Sequence, residues 1–323
     1  MNNDTINICQ VSLARDISLV EDNYKNFLKF YKNLKFYIIC PEKDVPLFQK
    51  NFNFKNCNII NEKEILSLSN FRNFFNELSN NLIYKDYFEQ RLNWYYQQVL
   101  KISYIINFIE KNNEKIIIWD ADTIILKKIE FFNKDKSNNY GTLFEFHRAY
   151  FSTVKRIFDI LPSIFISSLT QFISISLKDN DILKKRLNNF MEKKSMNTSE
   201  WISKIVLKAV FDEHQIFNGS MFSEYELIGI SKILNNDDKQ KPLFTLRSGL
   251  DGKLSNFQKI FCKFFNIYHV TYEHSHPNKF SKGMLNRQQN NIRFFRIILS
   301  DAVKFYLRNL RYQFNYHIRY FKK

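Results

Sequence analysis

With 45% hydrophobic and 25% charged residues over 323 positions, the chain has the composition of one large or two ordinary globular domains, and wholesale disorder is excluded. Its net charge of +16 is uneven: from Arg287 to Lys323 nine Lys or Arg face a single acid, Asp301. Such a segment points to an acidic partner surface, either a membrane or a nucleic acid. The 34 Phe and 17 Tyr, with abundant Asn, Lys and Ile, follow the bias of an AT-rich genome and say nothing of base stacking. Cys9, Cys40, Cys57 and Cys262 form no CxxC pair and read as free thiols of a reducing cytoplasm. Asn2, Asn3 and Asp4 precede only a short apolar run, so no secretory leader is expected.

Asn7 to Leu13 reads as a first strand and Ser18 to Tyr31 as a helix. Lys35 to Cys40 is a second strand stopped by Pro41, and Cys57 to Asn61 is a third. Strand and helix alternating at these intervals imply a parallel sheet covered by helices, with ligands bound beyond the carboxyl ends of the strands. Ser12, Arg15 and Asp16 stand at that edge, either as loop and cap residues or as contacts to a nucleotide base or ribose. Lys85 to Asn112 holds no Gly or Pro and reads as one long helix, on which Gln97 and Lys101 share a face. Lys101 is either a surface lysine or a group that approaches a diphosphate.

That helix runs into KIIIWDADTIILK (Lys115 to Lys127). Read as a strand, the stretch points Asp120 and Asp122 the same way from its end. Two adjacent carboxylates are costly unless a cation lies between them, and oxygen ligands suit Mg²⁺ or Mn²⁺. A bare DxD is as readily a strand end whose acids cap a turn.

Tyr140 to Phe146 reads as a strand. Ile160 to Leu177 carries no charge, but Pro162 and its many hydroxyl residues suit a buried loop and a half-buried strand better than a membrane span. Helical patterns follow at Asn180 to Lys194 and Ser199 to Phe211. Glu213, His214, Glu224 and Glu226 then fall in a span rich in turn residues, where a glutamate facing a pocket can act as a general base. Pro242 to Arg247 and Tyr268 to Glu273 are late strands, the second leading to His274 and His276, which are candidate metal ligands or simply exposed histidines. On a helical wheel, Arg293, Arg296, Lys304, Arg308, Arg311 and Lys322 share one arc, while Phe295, Leu299, Ala302, Tyr306 and Leu310 lie opposite. A basic amphipathic helix of this kind suits the interface of an anionic bilayer.

Taken in order, NWYYQQVLKIS (Asn93 to Ser103), WDADTIIL (Trp119 to Leu126), FHRAYF (Phe146 to Phe151) and FSEYELIG (Phe222 to Gly229) resemble the DUF6492 type of bacterial glycosyltransferase. The resemblance implies an α/β, GT-A-like fold with a mixed, mostly parallel sheet flanked by helices and followed by a C-terminal amphipathic helix. On that basis residues 1–286 form the transferase domain, with a nucleotide-sugar half to about 130 and an acceptor half beyond it, and residues 287–323 form the membrane-associating helix. It implies transfer of a hexosyl or N-acetylhexosaminyl group from a nucleotide-diphosphosugar donor to a saccharide or lipid-linked acceptor in surface polysaccharide or lipooligosaccharide synthesis. Mn²⁺ or Mg²⁺ is the implied cofactor, with Asp122 the firmer ligand, Asp120 contacting metal or donor ribose, and His274 or His276 as a further ligand. Glu224 or Glu226 is the implied base if the reaction inverts. The expected location is cytoplasmic, peripheral on the inner face of the membrane.

Two other classes compete. A haloacid dehalogenase-type phosphatase needs DxDx[TV], whereas Thr123 follows Asp122 directly and Ile124 takes the hydroxyl position. A nucleic-acid-binding protein explains the charge, yet basic residues outside the tail do not cluster with stacking aromatics, so no nucleic acid partner is expected.

Overall fold

The computed structural model describes residues 5–80, 82, 85–134, 136–160, 166–212, 220–236, 240–246, 250, 252–272 and 288–320. The first third alternates as expected: β1 (Ile6–Val11), α1 (Ile17–Phe30), β2 (Leu34–Cys40), α2 (Val45–Asn51) and β3 (Cys57–Asn61). Helices α3 (Leu68–Ser79), α4 (Lys85–Glu89) and α5 (Leu92–Asn112) lead to β4 (Ile116–Trp119) and β5 (Thr123–Ile125). The single helix expected from Lys85 is thus two, parted at Gln90 and Arg91 without any local breaker residue.

A short hairpin, β6 (Phe132–Asn133) with β7 (Lys136–Ser137), precedes β8 (Tyr140–Gly141). Next come α6 (Arg148–Phe158), β9 (Phe172–Ile175), α7 (Leu177–Phe190), α8 (Thr198–Phe211), α9 (Glu224–Asn236) and β10 (Lys241–Pro242). The chain closes with α10 (Asn256–Phe264), β11 (His269–Thr271) and α11 (Asn291–Tyr320).

The central sheet runs β3-β2-β1-β4-β9, parallel except for β9, which pairs antiparallel with β4 at one edge. The fold is therefore mixed α/β with a mostly parallel sheet flanked by helices. Alternate residues of β1 feed opposite faces, Ile8 into a cluster with α1 (Val20, Phe27) and Trp119, Cys9 into one with α5, α8 and α9. Helix α5 packs between the sheet and α8, which buries Gln98, Lys101 and Ser103 along with its apolar residues.

Local signals set the helix ends. Ser176 and Asp179 form a capping box at α7, and Ser255 with Gln258 does the same at α10, each satisfying orphan N–H groups.

Several expected strands shrink. Of Tyr140 to Phe146 only Tyr140–Gly141 is strand, since Thr142 turns to bridge Ser167; of Pro242 to Arg247 only Pro242 lies in β10, and Arg247 is outside the described residues. The uncharged stretch at 160–177 ends, as expected, in a buried loop (Ile166 to Thr170) and strand β9. No helix among the described residues is long and apolar enough to cross a membrane.

The DxD stretch differs most from its sequence reading. Strand β4 stops at Trp119, and Asp120-Ala121-Asp122 form a turn in which Thr123 N–H donates to the Asp120 carbonyl at 3.1 Å. Beyond it β5 leaves the sheet to pair antiparallel with β11. The two aspartates are thus held together by a turn, and strand alternation does not govern where they face.

Helix α11 also differs. It buries Phe294, Ile298, Ala302, Phe305 and Tyr312, while Leu299, Tyr306 and Leu310 of the expected apolar arc stay exposed. One of its cations, Arg308, is tied to the body through the Leu143 carbonyl at 2.8 Å and the Phe144 ring.

Candidate active site

Strand β1 lies between β2 and β4, so the chain leaves β1 to build one side of the sheet and returns through α5 to build the other. The carboxyl ends of β1 and β4 therefore flank a topological switch point, where parallel α/β sheets open a ligand crevice. Ser12 follows β1 there and the Asp120 turn follows β4. Gln10 Nε2 joins the two by donating to the Asp120 carbonyl at 3.4 Å.

Near these strand ends Ser12 Oγ, Gln10 Oε1 and Gln171 Oε1 are buried with no hydrogen-bond partner among the described residues, a state that costs stability unless a ligand or water meets it. Gln171 adopts φ 58, the left-handed region unusual for a residue with a Cβ, and its carbonyl takes the Asp120 N–H at 2.9 Å. Arg15 and Asp16 stand beside Ser12 in a short turn, but their described roles are local: Asp16 Oδ2 accepts the Leu13 N–H at 3.3 Å, and exposed Arg15 lies 3.7 Å from Asp16 Oδ1.

Behind the turn sits a buried ionic cluster with no counterpart in the sequence reading. Lys101, far from being a surface lysine, is 6% exposed. Its Nζ donates to Asp120 Oδ1 at 2.6 Å and to Glu224 Oε1 at 2.6 Å. Tyr225 Oη donates to the same Asp120 Oδ1 at 2.5 Å, and Lys101 Nζ lies 5.1 Å from the Tyr225 ring centre. Burial pushes the Lys101 ammonium down, but the Asp120 and Glu224 carboxylates outweigh it and hold it above its ordinary value. Burial, then the Asp120 and Glu224 charges, raises the Tyr225 phenol well above its usual range, so it remains a donor. Burial first, and the Asp120 charge after the opposing pull of Lys101, push the Glu224 carboxyl up.

Both glutamates of SEYEL lie in the first turn of α9 rather than in a loop, and both are at most 1% exposed. The Glu224 N–H donates to Gln98 Oε1 at 3.2 Å, so Gln98 joins α5 to the start of α9 while Gln97 is half-buried beside it. Two helical residues turn by about 200°, which sends Glu226 toward other neighbours. Its carboxylate accepts from Ser167 Oγ and, at 3.2 Å, from the Ser168 N–H. Gly229 makes this approach possible, because a Cβ there would lie 2.0 Å from Ser168 Oγ. Both carboxylates meet interior donors, Glu224 the Lys101 ammonium and Glu226 the Ser167 hydroxyl and Ser168 N–H.

Burial raises the Glu226 carboxyl from 4.5 to about 7 against the pull of Ser167 and Ser168. A carboxyl raised on folding adds stability below its unfolded value, and that stability is lost as pH climbs through the folded one. Glu226 thus makes the fold weaken by about 3 kcal/mol between those limits. Glu226→Gln is expected to flatten that slope, measured as urea midpoints below and above the interval; an unchanged slope would remove Glu226 as its source.

Asp122 is half-buried; its Oδ1 lies 3.4 Å from Thr123 Oγ1, and its carbonyl accepts the Tyr272 N–H at 2.8 Å. His274 and His276 lie outside the described residues, as do Glu213 and His214. Among the described residues no three His, Cys, Asp or Glu side chains gather closely enough to hold a metal. Asp120 and Asp122, on a single turn, carry carboxylate oxygens, the ligand type that a hard cation takes. Lys101 and Tyr225 both meet Asp120 through Oδ1.

These features define a mixed α/β protein with an acidic, partly buried site at its switch point. A family model described as a family of unknown function, DUF6492, matches residues 12–240, and the chain belongs to that family. No curated protein is similar in sequence. Among solved structures, the chain superposes loosely on apo mouse xyloside xylosyltransferase 1, at 10% identity over 84% of this chain and 99% of that one, with a TM-score of 0.41. The galactosyltransferase LgtC with donor and acceptor sugar analogues gives 11%, 91% and 96%, with a TM-score of 0.39. The apo glycosyltransferase GlyE of Streptococcus pneumoniae gives 12%, 97% and 64%, with a TM-score of 0.38. None of these superpositions is tight enough to transfer a residue role.

Proposed function

We propose that the chain is a metal-dependent GT-A-type glycosyltransferase, moving a hexosyl or N-acetylhexosaminyl group from a nucleotide-diphosphosugar to a saccharide or lipid-linked acceptor of bacterial surface polysaccharide or lipooligosaccharide. The observation that supports it most is the Asp120-Ala121-Asp122 turn at the switch point, with Asp120 fixed from behind by Lys101 and Tyr225. Asp122 and Asp120 Oδ2 would hold Mn²⁺ or Mg²⁺, joined by His274 or His276. When bound, the cation supplies charge neutralisation for the departing nucleoside diphosphate.

The protein's own groups do the rest. Ser12 Oγ, Gln10 Oε1 and Gln171 Oε1 offer hydrogen bonds to the base and ribose, with Arg15, Asp16 and Gln97 as further donor contacts. Lys101 positions Asp120 instead of touching the diphosphate, Glu224 holds Lys101, and Glu226 fixes the base of α9. In this reading the donor half runs to about residue 130, the acceptor half to 286, and the cations of α11 hold the enzyme to the anionic inner face of the cytoplasmic membrane.

Ligand-linked stability tests the donor site without knowledge of the acceptor. A ligand at a hundred times its Kd adds about 2.7 kcal/mol to stability. One of UDP, GDP or ADP is expected to raise Tm in the presence of Mn²⁺ and not in its absence. If none does so, or if Asp122→Ala responds like the wild type, the site is not the donor site.

A further inference from the structure

The side of α11 turned away from the core is apolar as well as basic. Leu299, Val303 and Leu310 are 54%, 59% and 68% exposed and recur at helical spacing, with Arg296, Lys304 and Arg311 on their flank. This ridge does not end with α11. Helix α10 presents Phe257, Ile260 and Phe264, spaced three and four apart on one face, at 60%, 65% and 80% exposure. Phe295 of α11 meets Phe257 and Phe261 of α10 with ring centres 6.3 and 4.7 Å apart, so the helices share one surface. Helix α10 carries Lys259 and Lys263 and no acid; the only acid of α11, Asp301, lies 3.7 Å from Lys304.

A contiguous patch of large apolar side chains on a soluble surface marks a site that something covers. Its charge selects the occupant. A second copy would bring two cationic rims together, and a nucleic acid would meet the cations but leave the Phe and Ile side chains in water. An anionic bilayer satisfies both, with apolar groups in the interface and cations among the headgroups.

We propose that α10 and the outer face of α11 form one bilayer-docking surface, in which Phe257, Ile260 and Phe264 enter the interface of an anionic membrane. This rests on the peripheral-membrane part of the proposed function and extends it to a helix outside the basic tail. It also fixes the protein's orientation, since two helices meeting the bilayer leave less rotational freedom than one.

The test is cosedimentation of the full chain with vesicles of phosphatidylcholine alone or mixed with phosphatidylglycerol. The triple variant Phe257→Ser, Ile260→Ser, Phe264→Ser removes only exposed side chains, and an unchanged Tm verifies its fold. Its affinity for the anionic vesicles is expected to fall about 100-fold. The pair Arg296→Gln, Arg311→Gln is expected to lose about 30-fold and most of the preference for phosphatidylglycerol. If the triple variant binds like the wild type while the arginine pair does not, the proposal for α10 is overturned and anchoring by α11 alone stands. Failure of the wild type to bind anionic vesicles overturns both. So does a wild-type dimer in sedimentation that the triple variant abolishes, because the patch is then covered by a second copy.

Discussion

Lys101→Met is expected to cost about 3–5 kcal/mol of folding stability, the usual effect of removing one partner from a buried ion pair. The reason lies in what it leaves behind. Asp120 and Glu224 both accept from Lys101 Nζ at 2.6 Å. Without that ammonium, two carboxylates face each other, one of them 1% exposed. Glu224 escapes by binding a proton. Its carboxyl is already raised by burial, and Lys101 is the charge that opposes the rise. A carboxyl raised on folding stabilises at low pH and loses that contribution as pH climbs, so the deficit of Lys101→Met should be small in acid and largest in alkali. Urea denaturation at the two extremes measures it. A deficit under about 1 kcal/mol, or one independent of pH, would mean that the cluster is not held by this ion pair.

Asp122→Ala and Asp120→Asn are expected to lower turnover of the donor by about 10³-fold each, the loss of roughly 4 kcal/mol of charge stabilisation. Their stabilities should differ. The Asp122 side chain is half-buried and its carbonyl, which holds the Tyr272 N–H, survives the change to alanine, so its fold should persist. Asp120 Oδ1 takes hydrogen bonds from both Lys101 and Tyr225, so Asp120→Asn should lose stability together with activity. Equal stability losses in the two variants would contradict the bracing of Asp120 by Lys101 and Tyr225.

How far these roles were legible in the sequence depends on how local their causes are. The alternation from Ile6 to Asn61 was readable because strand and helix periodicities change within a few residues of Pro41 and Asn33. The DxD pair was visible, but its turn was not: the apolar run on either side of Asp120 looks continuous, and only the departure of β5 to pair with β11, some 145 residues later in sequence, shows that two strands are present. Lys101 carried no local sign of burial either, since its partners lie 19 and 123 residues away.

The SEYEL segment was found by its resemblance and misplaced by its composition. Acidic residues after Asn218, Gly219 and Ser220 suggest a solvated loop, whereas Ser167, Ser168, Gln98 and Lys101 enclose them in the first turn of a helix. Tyr225 between the two glutamates carries no local sign of its role, since Asp120, on which it doubles the hold, lies 105 residues away. In α11 the wheel showed one apolar arc where the structure has two, one for the core and one for solvent. A period alone cannot say which of two apolar stripes the core will choose.

Action of the Asp120–Asp122 turn on a nucleotide-diphosphosugar with a divalent cation is tested most directly by nucleotide release from UDP-, GDP- and ADP-sugars by the wild type and by Asp122→Ala, with and without Mn²⁺. Mn²⁺-dependent release from at least one donor is expected, with a loss of about 10³-fold in Asp122→Ala at unchanged Tm. Release that persists undiminished in Asp122→Ala, or a wild type that hydrolyses a simple phosphoester and none of the nucleotide-sugars, would contradict it.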